Sequence, residues 1–240
     1  MINLAEQTLA SIVTANHQTA SILEKYSLDF CCKGKRTLAQ ACTEKGIVVD
    51  DITRELEATV KTELTPGKDF TEMSADQLIR HILIHHHFYV KQIMPVIEEH
   101  LIKVAFKHGE HYPYMKETLQ LFTHLKNEMY LHLQKEEVIL FPRIKELESV
   151  VQYNQQRHVD KNFIYGPAGV MEAEHDEAGA IMYRIREITG NYEAPEGACT
   201  TFKLVLEELK AFEQDLHQHV HLENNVLFPK AENILDRLNG

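Results

Sequence analysis

The sequence predicts an all-α protein, in which a four-helix bundle follows a small N-terminal helical domain. After residue 74, apolar residues recur at alternating steps of three and four over four long stretches, which is the period of an amphipathic helix. There is almost no β pattern, because Val, Ile and Thr do not alternate with polar residues and no Asn-Gly hairpin turn occurs. A repeated motif spans residues 132–142 and 219–229. It consists of His-x-x-x-Glu, three intervening residues and then Leu-Phe-Pro.

Residues 1–65 predict the small N-terminal domain, with three or four short helices. Asn16, Thr37 and Asp51 suit helix N-caps, and Gly46 suits the end of a helix. So few residues bury little apolar surface, and we therefore expect this domain to be docked onto its neighbour rather than independently stable.

Residues 74–240 predict the bundle, and Pro66-Gly67 separates them from the N-terminal domain. Ser74 begins the first helix with a capping box, the second helix begins near Pro113, and the third follows Gly166-Pro167 and ends at Gly190. The fourth helix carries the second repeat. The helices are joined by connections expected at 105–112, 149–166 and 191–198, of which the middle one is long enough to cover an end of the bundle.

Composition argues against several classes of protein. The formal charge is −11 and no cluster is rich in Lys and Arg, so nucleic-acid binding is not expected. No run of about 18 apolar residues and no basic-then-apolar N-terminus occurs, so neither a membrane span nor a signal peptide is indicated. The four cysteines lack the spacing of a secreted disulfide framework and suit a reducing cytoplasm.

The two repeats predict metal ligands. In His132/Glu136 and His219/Glu223, four-residue spacing places an imidazole and a carboxylate one turn apart on the same helix face. Both pairs interrupt the apolar stripe of their helices, where a buried carboxylate without a partner costs several kcal/mol. Because a pair of metal ions offsets this cost, we predict that these four residues bind metal.

Two further histidines repeat with almost the same separation. His175 continues the core stripe of the third helix and lies 88 residues after His87. His86 also fits an apolar stripe of the first helix, so spacing alone leaves His86 and His87 open. The bundle is therefore interpreted as a duplicated helix pair, in which each half contributes one single histidine and one His/Glu pair to a two-metal centre.

This set of donors suits iron better than zinc or calcium. Structural zinc sites favour a complete shell of four protein ligands, often thiolates, and calcium favours oxygen ligands. Two non-haem irons bridged by both carboxylates retain open positions for O₂, NO or solvent, and an added oxo or hydroxo bridge is expected on oxidation. The nearby polar residues are expected to lie on solvated helix faces rather than to support ligands or carry protons; they are Glu128, Glu137, Glu174 and His221.

Cys31 and Cys32 are predicted to be redox or iron-transfer thiols. They precede three cations, Lys33, Lys35 and Arg36, in a turn that leads into a helix. Positive charge and a helix N-terminus lower a thiol pKa and raise its reactivity. A disulfide between neighbouring cysteines would be strained, so two thiols or a transient redox pair are expected instead of a structural bridge.

The segment DFCCKGKRTL, the segment MEAEHDEAG and the two His/Glu repeats together resemble the repair of iron centres family of the ScdA/YtfE type. The resemblance covers nearly the whole chain and implies a hemerythrin-like bundle with a non-haem di-iron site, bound by four His and two bridging Glu. By motif, these ligands are His87, His132, Glu136, His175, His219 and Glu223. The resemblance also implies a cytoplasmic bacterial stress protein that restores iron–sulfur clusters damaged by nitric oxide or oxidants.

Repair by iron donation, by NO handling or by both is the function that the sequence favours, because an O₂ carrier has no need of a thiol pair. The partners are then damaged iron–sulfur proteins and the small molecules NO or O₂, and the chain is a monomer or a homodimer. One alternative is a hemerythrin-like O₂ or NO sensor or carrier. The other is an NO reductase that couples two NO molecules to N₂O at the reduced irons.

Overall fold

The computed structural model describes residues 3–61, 69–153 and 158–239. The all-α prediction is confirmed: these residues form helices and no strand, and the β-type pairing among them is one isolated bridge between Thr8 and Thr37. The predicted break at Pro66-Gly67 lies outside the described residues.

Four short helices form the N-terminal part. They are α1 (Leu9–Ala15), α2 (Thr19–Lys25), α3 (Leu38–Lys45) and α4 (Val49–Lys61), preceded by a 3-10 turn at Leu4–Glu6. Thr37 caps α3 in a capping box with Gln40, and Gly46 ends α3 with a φ of 66°, as predicted.

The other two predicted N-caps are wrong. Asn16 follows α1 instead of starting α2, and its side chain accepts the N–H of Gln18 at 2.9 Å. Asp51 lies inside the first turn of α4, which begins at Val49. An Asp in a first turn is favourable through the helix dipole, so the sequence pattern does not distinguish this position from the cap.

Four long helices form the bundle. Their bounds are α5 (Ala75–Ile82, Leu83–His87 and Phe88–His108), α6 (Tyr114–Lys135, Glu136–Leu140 and Phe141–Gln152), α7 (Tyr165–Ile188) and α8 (Thr200–Leu222, Glu223–Leu227 and Phe228–Asn239). Each helix contacts its neighbours in the ring α5–α6–α7–α8.

Helix α7 begins at Tyr165, so Gly166-Pro167 lies in its first turn instead of preceding it. A proline is tolerated there because the N–H groups of a first turn have no helical partner.

The middle segment of α5, α6 and α8 is a π-helical turn. In α6 the N–H of Phe141 donates to the carbonyl of Glu136, and in α8 that of Phe228 donates to Glu223, five residues back in both cases. The next residue of each helix is proline, which lacks an N–H and clashes with a carbonyl of a regular α-helix. The wider turn accommodates that proline, so the Leu-Phe-Pro of both repeats marks a π-turn that begins at the glutamate.

The predicted ligands lie between two apolar clusters. One cluster joins the N-terminal helices to the near half of the bundle and includes Leu23, Phe30, Met94, Phe122 and Phe212. The other fills the far end and includes Ile79, Ile144, Ile164, Leu227 and Leu235. The N-terminal helices therefore pack on the bundle through a shared core. Ile164 and Val159 belong to the α6–α7 connection, which covers the far end of the bundle with these apolar side chains, whereas Tyr153 and His158 are exposed.

Candidate metal centre

The six predicted ligand residues form one buried layer across the bundle, and none is more than 2 % exposed. His87 ends the π-turn of α5, and Glu136 and Glu223 begin those of α6 and α8. The other three residues lie on regular helix: His132, His175 and His219.

Their donor atoms form two groups that share both carboxylates. One group is His87, Glu136, His219 and Glu223, and the other is His132, Glu136, His175 and Glu223. Within each group, the donor atoms all lie within 4.8 Å of one another. Each group offers two imidazoles and two carboxylates that could hold a metal ion.

The carboxylates contact imidazoles of both groups. Glu136 Oε2 lies 3.4 Å from Nε2 of His87 and 3.4 Å from Nε2 of His132. Glu223 places Oε1 3.0 Å from His219 Nε2 and Oε2 3.2 Å from His175 Nε2. Each glutamate therefore lies close to an imidazole of each group.

Several of these buried polar atoms have no hydrogen bond within the described part of the chain: both oxygens of Glu136, Oε2 of Glu223 and Nε2 of His87. The Nε2 atoms of His132 and His175 also face each other at 3.0 Å. Unpaired buried polar atoms are costly, and cations between them remove that cost. Nitrogen and carboxylate donors of this kind fit transition-metal ions such as iron.

Carboxylates hold the imidazoles of the first half. His87 Nδ1 donates to Glu137 Oε1 at 2.8 Å, and Lys91 Nζ donates to both Glu137 oxygens at 2.6 and 2.8 Å. His132 Nδ1 donates to Glu174 Oε2 at 3.0 Å, and Glu174 also pairs with Lys135. The expectation of solvated faces is therefore wrong for Glu137 and Glu174. Both fix the tautomer that leaves Nε2 free to bind metal.

The second half supports its imidazoles differently. His175 Nδ1 donates to the amide oxygen of Asn224 at 2.8 Å, whereas His219 Nδ1 has no hydrogen bond among the described residues. Asn224 was missed by the sequence reasoning. The repeat itself could have found it, because Asn224 and Glu137 each follow the glutamate of their repeat and each orients the single histidine of that half.

The remaining candidates lie outside the two groups. His86 Nδ1 is 2.9 Å from Asp215 Oδ1, and its ring stacks on His219 at 5.5 Å. His221 is buried instead of solvated and contacts the N-terminal domain, with Nε2 3.4 Å from Thr14 Oγ1. Glu128 is exposed, as expected.

The charges of the two glutamates shift the pKa values of the buried histidines. Burial opposes protonation of His87 and His132, but the negative charge of the adjacent Glu136 and Glu223 raises the pKa of His87 to about 10 and that of His132 to about 9. Against burial, His219 and the other imidazoles hold the pKa of Glu223 well below its usual range. Burial lowers the pKa of His219.

The cysteine turn lies beside this layer. Asp29 Oδ1 accepts the backbone N–H groups of Cys31 at 3.1 Å and of Cys32 at 3.0 Å. Cys32 Sγ is 3.6 Å from the carbonyl oxygen of His175, and Asn225 Nδ2 donates to the carbonyl oxygen of Cys31 at 3.1 Å. The turn therefore packs against the backbone of His175, and it is held by Asn225, which lies two residues after Glu223.

Both cysteines are free thiols, but the predicted lowering of the pKa is wrong for Cys31. Its hydrogen bond to Cys32, followed by burial and the charge of Asp29, raises the pKa of the Cys31 thiol well above its usual value. The next helix, α3, begins only at Leu38, so the thiols do not lie at a helix N-terminus.

Comparison with known families agrees with this geometry. Residues 78–231 match the family model described as the hemerythrin HHE cation binding domain, and residues 5–60 match ScdA_N, described as a domain of unknown function. The chain belongs to the hemerythrin HHE family. Membership implies that the bundle binds metal, in agreement with the two His/Glu groups.

The curated relatives that are similar over nearly the whole chain include proteins named iron–sulfur cluster repair protein YtfE. The one from Enterobacter sp. (strain 638) is 32 % identical over 226 residues, which cover 94 % of this chain and 96 % of the relative. Those from Escherichia coli O1:K1 and Escherichia fergusonii are 33 % identical over the same share. The predicted resemblance to the ScdA/YtfE type is confirmed.

Within residues 3–61, 69–153 and 158–239, none of the helices combines the length and the apolar character needed to cross a membrane.

Proposed function

We propose that this chain is a di-iron protein that repairs iron–sulfur clusters damaged by nitric oxide or oxidants, through iron donation, NO handling or both, in the cytoplasm. The observation that carries the proposal is the pair of His₂Glu₂ groups that share both carboxylates. The repair role is supported by the names of relatives that are similar over nearly the whole chain. The proposed iron ligands are His87, His132, Glu136, His175, His219 and Glu223.

Iron held by these residues would supply binding and reduction of NO, or release of Fe²⁺ to a damaged cluster. The protein holds the imidazoles with Nε2 directed inward, through Glu137, Glu174 and Asn224. Two ions that shared these six protein donors would each have fewer than six protein ligands and could also bind a small molecule. The two apolar clusters above and below the layer exclude bulk water.

Cys31 and Cys32 are proposed to act in the repair step as redox or iron-transfer thiols. Their support is their place in the fold, since Cys32 Sγ contacts the backbone of His175 and Asn225 binds the backbone of Cys31. A carrier of O₂ does not require two free thiols against the ligand layer.

The test is iron content together with Mössbauer spectra of the anaerobic protein, before and after NO, for the wild type and for Glu136→Ala. We expect two coupled irons that react with NO in the wild type and loss of both from the variant, because Glu136 serves both groups. Retention of both irons in Glu136→Ala would show that the ligand assignment is wrong. Reactivation of a nitrosylated cluster enzyme by the iron-loaded protein then tests repair itself.

The same preparation separates the alternatives. Reversible O₂ adducts that are unaffected by Cys31→Ser and Cys32→Ser, without reactivation of the cluster enzyme, would favour a sensor or carrier. Formation of N₂O over many turnovers with an added electron donor would favour an NO reductase over stoichiometric NO handling.

A further inference from the structure

We infer that Asp29, Cys31 and Cys32 form a second metal site, separate from the bundle centre, that binds one thiophilic divalent cation such as Fe²⁺. The inference deepens the iron-donation part of the proposed function and names the residues that receive the ion outside the bundle. One oxygen of Asp29 and the two Sγ atoms all lie within 4.8 Å of one another.

The spacing of these donors fits a single tetrahedral ion. Two sulfurs that each lie about 2.3 Å from one tetrahedral ion are roughly 3.8 Å apart. The Sγ atoms of Cys31 and Cys32 are 3.7 Å apart. A carboxylate oxygen about 2.1 Å from the same ion lies roughly 3.6 Å from each sulfur, and Asp29 Oδ1 is 3.3 Å from Cys31 Sγ. Little movement is needed to place an ion between the three side chains.

The turn that presents the thiols is fixed before any ion binds. Asp29 Oδ1 accepts the N–H groups of Cys31, Cys32 and Lys33, the last at 3.2 Å, which closes the backbone around the carboxylate. Gly34 allows the chain to pass close to Phe30, since a Cβ there would lie 2.2 Å from the Phe30 carbonyl oxygen. A preorganised turn of this kind lowers the cost of ordering both thiols around a metal.

The site has one closed and one open side. Cys31 is 5 % exposed, whereas Cys32 is partly exposed and its Sγ packs beside the carbonyl oxygen of His175. A tetrahedral ion held by these three side chains has one position left for a ligand from solvent or from an acceptor protein. Binding exchanges the two thiol protons for the divalent cation and releases them to solvent, without any change of oxidation state.

Cobalt is a suitable probe, because a thiolate-bound Co²⁺ gives a charge-transfer absorption that imidazole and carboxylate ligands do not. The full chain, with iron in the bundle and its thiols reduced, is titrated anaerobically with Co²⁺ and followed as a difference spectrum. We expect the band to saturate at one equivalent. The band should be lost in Cys31→Ser and in Cys32→Ser. The affinity for Co²⁺ should fall by more than the roughly 10- to 100-fold that is lost when a hydrogen-bond partner of a metal ligand is removed.

Cys42→Ser and Cys199→Ser are the matched controls. Cys42 is buried in the same N-terminal core, and Cys199 lies 3.3 Å from His108 at the start of α8, so neither contributes to the Asp29 group. Both should keep the band. A band that survives Cys32→Ser, or that disappears in Cys199→Ser, would overturn the assignment.

Alkylation of the wild type gives a second readout that does not depend on the folding of variants. Co²⁺ should protect Cys31 and Cys32, but not Cys199, from iodoacetamide in peptide mass spectra, and equal labelling with and without Co²⁺ would contradict the site. Glu136→Ala, which is expected to lose the bundle irons, should still show the band. A missing band in a wild type that still reacts with NO therefore overturns this site and leaves the bundle proposal intact.

Discussion

The two copies of the His/Glu repeat hold the same ligands but support them differently. In the first copy, the residue after Glu136 is Glu137, a carboxylate that Lys91 holds against His87. In the second copy, the residue after Glu223 is Asn224, a neutral amide that holds His175. Duplication has thus preserved the donor atoms, whereas the groups behind them have diverged.

The copies also differ in what they present outward. His221 and Asn225 of the second copy contact the N-terminal domain, whereas the equivalent positions of the first copy, Gln134 and Val138, are exposed. One half of the centre is therefore backed by charge, and the other half carries the cysteine turn. We therefore expect changes behind the imidazoles of the first copy to affect metal affinity and changes on the outer face of the second copy to affect the cysteine turn.

The largest expected effect on iron content is the same for the two copies. Glu136→Gln and Glu223→Gln should each lose both irons, because each carboxylate lies in both donor groups. Iron content after gel filtration measures this loss. Glu128→Gln is the control, because Glu128 is exposed and lies on α6, the helix that carries Glu136. If either variant keeps one tightly bound iron, that carboxylate does not bridge.

The next effect distinguishes the halves. Glu137→Gln should lower iron affinity by roughly 10- to 100-fold, because a carboxylate behind a ligating histidine makes it a stronger donor. Asn224→Asp introduces that same carboxylate behind His175 and should retain or raise affinity. Competition with a chelator measures both. Equal losses in the two variants would mean that charge behind the imidazole is unimportant here.

The sequence predicted that five of the six candidate ligands are buried, because each of them interrupts an apolar stripe of known period. Phase did not distinguish His87 from His86, and the family resemblance supplied that choice. The outer partners of the ligands were not predictable in this way. Glu174 lies on α7 yet holds His132 on α6, and a contact between helices leaves no periodicity in either one. The place of Cys31 was also not predictable, since the pattern of cations suggested an exposed reactive thiol while the fold buries it.

Proton release during iron loading should depend on which histidines are protonated before iron binds. His87 and His132 hold protons in the metal-free protein, with pKa values raised to about 10 and about 9, whereas burial lowers the pKa of His219. A metal needs neutral imidazole, so loading near pH 7 should release about two protons, and affinity should rise as pH increases toward 9.

A pH indicator in weak buffer measures this release. His132→Ala and His219→Ala each lose a proposed iron ligand, so the release is expressed per iron bound. On that basis it should fall by about one proton in His132→Ala and stay unchanged in His219→Ala, because only His132 starts protonated. Affinity that is flat between pH 6 and pH 9, or falls across this interval, would contradict the assigned protonation.

The smallest effect tests the outward difference between the copies. Asn225→Ala removes the hydrogen bond to the Cys31 carbonyl oxygen, 3.1 Å long, and should lower the free energy of unfolding by about 1 kcal/mol. Val138→Ala changes the equivalent position of the first copy, which is 66 % exposed, and should stay within about 0.5 kcal/mol of the wild type. Urea unfolding of the iron-loaded proteins measures both. Because Asn225 binds the Cys31 backbone, whereas Val138 is exposed, Asn225→Ala should also speed alkylation of Cys32, while Val138→Ala should not. Equal rates would mean that Asn225 does not hold the turn in place.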